Sequence, residues 1–131
     1  MTHISATVAG LATDQMVSYY RSFAQGGFGL IITEGLYTDD RHSPGYIFQP
    51  GMVNDEQERS WSKVVNAFHQ TGSKIIAQIM HAGALVHCNL FGHDSIAPSA
   101  VQPKGAKAKR MKEPDQSSTA RSYERGCCQC D

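Results

Sequence analysis

The stretch Phe28-Gly-Leu-Ile-Ile-Thr-Glu-Gly35 decides the fold class of this chain. It is a short apolar run rich in β-branched residues, with Gly26-Gly27 before it and Gly35 closing it. A run of this length predicts a strand over 28–33 buried on both faces, the habit of parallel sheets. Polarity returns at Thr33 and Glu34, which places Gly35 at the strand's carboxyl end, where parallel α/β folds hold their ligands.

On the amino-terminal side, Gly10 breaks a stretch of small residues, and Thr13 or Asp14 can cap a helix running to about Gln25. Met16, Val17, Tyr20, Phe23 and Ala24 fall on one face of it, and Gly26 follows as a left-handed stop. On the other side, 35–53 has no helical period and contains Pro44, Gly45, Pro50 and Gly51. A loop that long is usually functional or disordered. Asn54 then caps a second helix, with Gln57 in the capping-box position. Trp61, Val64, Val65 and Phe68 form its apolar face, Gly72 ends it, and Lys74-Ile-Ile-Ala-Gln-Ile79 reads as a second buried strand. Helix, strand, helix, strand with short returns predicts an α/β fold with parallel pairing. The two aromatic faces, Tyr20/Phe23 and Trp61/Phe68, are expected to pack as core against the sheet.

The chain's 131 residues suit one core, and 12 Lys and Arg balance 12 Asp and Glu. The balance hides an asymmetry: residues 1–101 carry a net −3 and residues 102–131 a net +3. After Val101 there is no Leu, Ile, Val, Phe or Trp. Such a segment cannot offset its conformational entropy by burial, so 102–131 is expected to be a disordered basic tail. Its lysines lack the interleaved aromatics of a base-stacking surface, so no nucleic-acid partner is expected. No apolar run approaches the roughly 20 residues of a membrane span. The amino terminus lacks the pattern of a signal peptide. A cytoplasmic protein is the expectation.

Cys127, Cys128 and Cys130 crowd the carboxyl end, and Cys88 stands alone, which is no disulfide framework. Structural zinc needs about four ligands in workable geometry, and near-adjacent thiols rarely supply it. His81, His87 and His93 recur at a spacing of six that suits no single helix face. No metal site is expected. Asp39, Asp40 and Arg41 read as surface charges of the loop; Glu34 could be a general acid or base, but a carboxylate at a strand end more often accepts backbone hydrogen bonds.

Gln78 interrupts the second apolar strand. A buried amide needs its donors and acceptor satisfied. Two readings stand: a planar heterocycle with mixed donor and acceptor edges, such as a flavin pyrimidine, or neighbouring backbone. Gly35 on the adjacent strand would let such a ligand come close to the backbone. Thr2 could add a hydroxyl to the same rim if the first residues form another strand.

Met1-Thr2, Tyr19-Tyr20-Arg21, Gly27 to Gly35, Trp61, His69, Gln78-Ile-Met-His-Ala-Gly83 and Ala97-Pro-Ser-Ala-Val101 follow in an order that resembles the old yellow enzyme family of NADH:flavin oxidoreductases. The likeness is closer to the bacterial enoate and 2,4-dienoyl-CoA reductase branch, and covers about residues 1–103. It implies part of an eight-stranded (β/α)8 TIM barrel with about three parallel strands and two helices in residues 1–101. It implies FMN at the strand ends, with Thr2 by the flavin, the backbone of Gly35 close to the isoalloxazine, Gln78 on its pyrimidine edge and His81 near the mouth of the site. It also implies hydride transfer from NAD(P)H through FMN to an activated alkene or enone. Ala84 departs from the family, standing where arginine is usual. The proline that precedes the first motif is absent, and the chain ends before the family's histidine/asparagine substrate anchor, so no catalytic residue is assigned. A complete barrel needs about 250 residues. The chain therefore reads as an amino-terminal fragment, inactive alone. The alternative is a non-catalytic remnant that folds partly or with a partner and self-associates through exposed strand edges.

Overall fold

The computed structural model describes residues 2–86, 89, 91–93 and 96–98. Met1, His87, Cys88 and the tail 102–131 with Cys127, Cys128 and Cys130 lie outside the described residues, as do the expectations attached to them.

The elements follow in the order helix α1 (Asp14–Gln25), strand β1 (Leu30–Tyr37), helix α2 (Asp55–His69) and strand β2 (Lys74–Met80), then one 3-10 turn at Gly83–Leu85. Each helix begins where a side chain meets its orphan amides. Thr13 accepts from the Met16 N–H, and Asn54 accepts from the Glu56 and Gln57 N–H groups. The stop of α1 is carried by Gly27, not Gly26: Gly26 has φ −75°, whereas Gly27 has φ +91°. The Phe28 N–H then reaches back to the Phe23 carbonyl at 3.2 Å, closing the helix end.

β1 and β2 pair in parallel, Leu30 with Lys74 through Tyr37 with Met80. The pairing slips once. Ile32 sits opposite Ile76 and Gly35 opposite Gln78, so three steps on β1 match two on β2. One residue is extra, and Thr33–Glu34 forms a β-bulge. The expected strand end is therefore the middle of a longer strand, which continues through Leu36 and Tyr37. The bulge also changes which residues face the helices. Before it Ile31 packs on the core; after it Leu36 does, where unbroken alternation from Ile31 would have turned Leu36 away.

The core lies between the sheet and the two helices. It consists of Ala6, Met16, Tyr20, Ala24, Leu36, Trp61, Val64 and Phe68, with Ala12, Val17, Ile31 and Ile75 packed against it. Tyr20, Trp61 and Phe68 hold the places expected of them. Phe23 instead stands beside the core, edge-on to Tyr19 and Phe28. The Trp61 indole N–H is buried with no hydrogen-bond partner, so the ring contributes through packing alone.

The expectation of strands buried on both faces is overturned. Leu30 (53%), Ile32 (60%), Ile76 (52%) and Ile79 (71%) are all exposed. Helices cover one face only. Ile32 and Ile76 lie side by side in register on the other, which no described element covers. Among the described residues the sheet has two strands, and the first residues do not form a third.

Residues 38–54 form a loop folded by its own side chains. The buried Ser43 hydroxyl accepts from the Thr38 and Asp39 N–H groups and donates to the Asp39 carbonyl at 2.6 Å. Asp39 closes a turn by accepting from the Arg41 and His42 N–H groups. Burial is the largest single influence and pushes its carboxyl up, but the His42 N–H, the Ser43 hydroxyl and the Arg41 and Ser43 N–H groups together outweigh it and hold the carboxyl below the usual range.

The loop is clamped to the amino-terminal arm around the ring of Tyr37. A Cβ on Gly10 would lie 2.1 Å from the Tyr37 oxygen, and one on Gly51 would lie 2.4 Å from its ring carbons. Only two glycines can flank the ring this closely. The Gly51 N–H donates to the Gly10 carbonyl at 3.0 Å. Gln57 completes the clamp: its amide donates to the Tyr37 oxygen and the Ala9 carbonyl, and its carbonyl accepts from the Val53 N–H. Gln57 thus reaches Val53, one residue before the position a capping box requires. Burial raises the Tyr37 phenol above its ordinary value; the Gln57 amide opposes the rise and the charge of Asp40 adds to it.

Candidate functional site

The bulge is the foundation of the site. With one residue extra, the Gln78 N–H donates to the Thr33 hydroxyl oxygen at 2.9 Å in place of a strand carbonyl. The hydroxyl in turn donates to the Glu34 carbonyl at 2.8 Å. This exchange keeps the two strands joined through the irregularity and sets Gly35 directly opposite Gln78.

Glu34, buried, ties three segments together. One carboxylate oxygen accepts from the Thr2 hydroxyl at 3.1 Å and the His3 N–H at 2.9 Å. The other accepts a longer bond from the Tyr20 hydroxyl, 3.4 Å, while the Glu34 N–H donates to the Tyr20 oxygen at 3.0 Å. Burial pushes the Tyr20 phenol well above its ordinary range; the Glu34 N–H opposes this in part, and the Glu34 carboxylate adds to it. Glu34 therefore accepts a backbone N–H, as expected, and holds the Thr2 arm against β1 as well.

Gly35 is buried, and its missing side chain has a use within the chain. A Cβ there would lie 2.5 Å from the Met80 sulfur and 3.1 Å from the Met80 Cβ. Its carbonyl accepts from the amide of Gln49 at 3.1 Å, and the Gln49 carbonyl accepts from the Gly45 N–H at 2.9 Å.

The four predicted site residues fall as follows. Gly35 and Gln78 are brought together as a register pair. Thr2 is attached to Glu34, the residue before Gly35. His81 follows β2 directly, and its Nδ1 accepts from the Gly83 N–H at 3.0 Å, which leaves Nε2 to face outward as a donor. Gln78 corrects one expectation, because its residue is exposed rather than buried. Ile76 and Gln78 alternate by two, so the amide shares the uncovered face with Ile76.

Sequence reasoning missed Gln49 and the linking role of Glu34. Gln49 lies in an aperiodic loop, where no pattern marks a buried amide. The signal for Glu34 was its charge within an apolar run beside Tyr20, one helix earlier.

The model of the NADH:flavin oxidoreductase / NADH oxidase family matches residues 1–126. The chain belongs to that family. Among curated relatives of the flavin oxidoreductases, a metal reductase of Desulforamulus reducens is 34% identical over 105 residues, covering 78% of this chain and 15% of the relative. The NADH:fumarate oxidoreductase of Klebsiella pneumoniae is 38% identical over 104 residues, covering 77% and 11%. The 12-oxophytodienoate reductase 7 of Oryza sativa is 32% identical over 109 residues, covering 82% and 27%. The chain thus spans well under a third of each of these relatives. Among solved structures, the old yellow enzyme homologue of Zymomonas mobilis superposes with a TM-score of 0.73 at 32% identity, over 88% of this chain and 32% of that one. Morphinone reductase in complex with tetrahydroNAD gives 0.70 at 31% identity, over 81% and 29%. These old yellow enzymes are TIM barrels, and the β1-α2-β2 unit described above is one sector of that barrel. The side of the sheet left uncovered by the helices corresponds to the inside of the barrel, which explains its apolar character.

Proposed function

We propose that this chain carries one rim of an FMN site in an NAD(P)H-dependent oxidoreductase whose substrate is a small activated alkene or enone. The observation that carries the reading is the register pair Gly35–Gln78 in a chain of the flavin oxidoreductase family. The residues fit one edge of a flavin. Gln78 is exposed on the inner face, and its amide offers the donor and acceptor that a pyrimidine edge needs. At Gly35 the ligand would meet backbone and the thioether of Met80, a flexible and polarisable side chain suited to an aromatic surface. Bound there, FMN would supply the relay of hydride between nicotinamide and alkene.

The chain's own residues bind and orient. Gln78 fixes the heterocycle in plane. The Thr2 hydroxyl donates to the Glu34 carboxylate and accepts from the Ile4 N–H at 3.4 Å, so a further contact from the rim would be to its remaining lone pair. His81 offers Nε2–H on the substrate side. Titrating the chain with FMN by flavin fluorescence tests the reading, with saturable binding at micromolar flavin as the expected result. Gln78→Ala should weaken that binding by about 1–3 kcal/mol, the penalty for an unmet polar partner. Unsaturable binding by the native chain would sink the proposal.

A second reading is favoured by the exposure of Leu30, Ile32, Ile76 and Ile79. A non-catalytic role, in which the uncovered strands pair with a second copy or another polypeptide, accounts for an apolar face in water. Concentration-dependent sedimentation without flavin binding would support it over the first.

A further inference from the structure

We infer that Gln49 is a positioning residue for the flavin-side backbone at Gly35, an inference that rests on the flavin reading given above. Gln49 is buried at 2% exposure, and its side chain bridges two glycines. Its amide donates to the Gly35 carbonyl and its carbonyl accepts from the Gly45 N–H. The first bond fixes the plane of the peptide that follows Gly35. It also ties that peptide to the 38–54 loop, within which the second bond braces Gln49 against Gly45 and Ser43 and Asp39 hold one shape.

Gly35 needs such a fixture. It follows directly on a bulge, where the ladder of β1 is irregular, and glycine is the residue with the most backbone freedom to lose. A rigid ligand held against a loose backbone forfeits affinity to the cost of ordering it. Gln49 removes that cost before the ligand arrives, without touching the ligand. Gly45 serves the same geometry: a Cβ there would lie 2.4 Å from the Ala82 Cβ, so the loop lies tightly over the segment that follows β2. The bridge therefore joins both sides of the rim, Gly35 within β1 and the Ala82 region after β2.

The test compares the native 131-residue chain with Gln49→Met, which keeps the volume and removes both bonds, and Ser43→Ala, which loosens the same loop without contacting Gly35. Each is titrated with FMN, and the visible absorption band of the bound flavin is recorded. Gln49→Met is expected to weaken FMN about 5- to 10-fold and to displace the flavin band, while Ser43→Ala lowers melting temperature and leaves the band in place. Should Gln49→Met fail to fold by circular dichroism, Gln49→Glu replaces it, since it keeps an acceptor for the Gly45 N–H and removes the donor toward Gly35. Equal affinity and an unchanged band in the folded Gln49 variant would overturn the inference and leave the flavin reading intact. A native chain that binds no FMN would overturn both.

Discussion

Replacing Tyr20 with phenylalanine isolates the polar half of the joint between α1 and the bulge. The ring keeps its place beside Trp61, 5.9 Å away between centroids, and beside Tyr19, so no cavity opens. What disappears is an oxygen that accepts from the Glu34 N–H at 3.0 Å and donates to the Glu34 carboxylate at 3.4 Å. The longer bond contributes little. The shorter one leaves a buried backbone N–H at an irregular point of the strand, where no neighbouring carbonyl replaces it, and an orphaned donor of this kind costs about 1–3 kcal/mol. With a urea slope of about 1 kcal/mol per molar for a domain of this size, the midpoint should fall by roughly 1–3 M. The pH dependence gives an independent check. The folded Tyr20 phenol titrates above its unfolded value, so its contribution is whole below about pH 10 and is lost as pH rises from there toward the folded pKa. The native chain should lose stability at alkaline pH, and Tyr20→Phe should lose less of it, the remainder coming from Tyr37, which is shifted the same way. A Tyr20→Phe stability within about 0.5 kcal/mol of native, with an unchanged alkaline limb, would refute the assignment of Tyr20 as the acceptor at the bulge.

Gly51→Ala places a methyl group in the ring of Tyr37 and should destabilise the chain by about 1–3 kcal/mol, read by thermal melting. Ile32→Thr lies on the uncovered face, so it should change the melting midpoint of the isolated chain by no more than about 0.5 kcal/mol, where a buried site would lose several times that. Asp39 titrates below its unfolded value in the fold, so its contribution holds above about pH 4 and fades as pH falls through the folded pKa. Asp39→Asn should flatten that acid limb in urea titrations between pH 5 and about pH 2.

The helices were legible because their signals are local. Thr13 and Asn54 sit immediately before periodic apolar faces, and each accepts the amides that such a residue type exists to accept. The parallel pairing followed from the strand-helix-strand order. The bulge was not legible, since Thr-Glu-Gly after an apolar run has the same appearance whether a strand ends or kinks. Only the register against β2 separates the two cases. Burial of the strands misled for a related reason. An apolar run states what a face prefers to contact, and the residues that would contact it lie on other elements. The adjacency of Gly35 and Gln78 was legible from their places on successive strands, whereas the bridge made by Gln49 depends on how an aperiodic loop closes.

The clamp around Tyr37 has a consequence for how the molecule comes apart. Residues 9–10, 37, 51–53 and 57 meet at one ring, yet they belong to an arm, a strand, a loop and a helix start. None of these segments can lift away without freeing the ring, and once it is free the others have lost their anchor. The arm and the long loop should therefore open in one concerted event rather than fraying separately, and their amides should exchange with solvent at a shared rate. A surface loop of this length would ordinarily be the first part of a protein to loosen. Here its opening is tied to the loss of an aromatic ring from between two glycines.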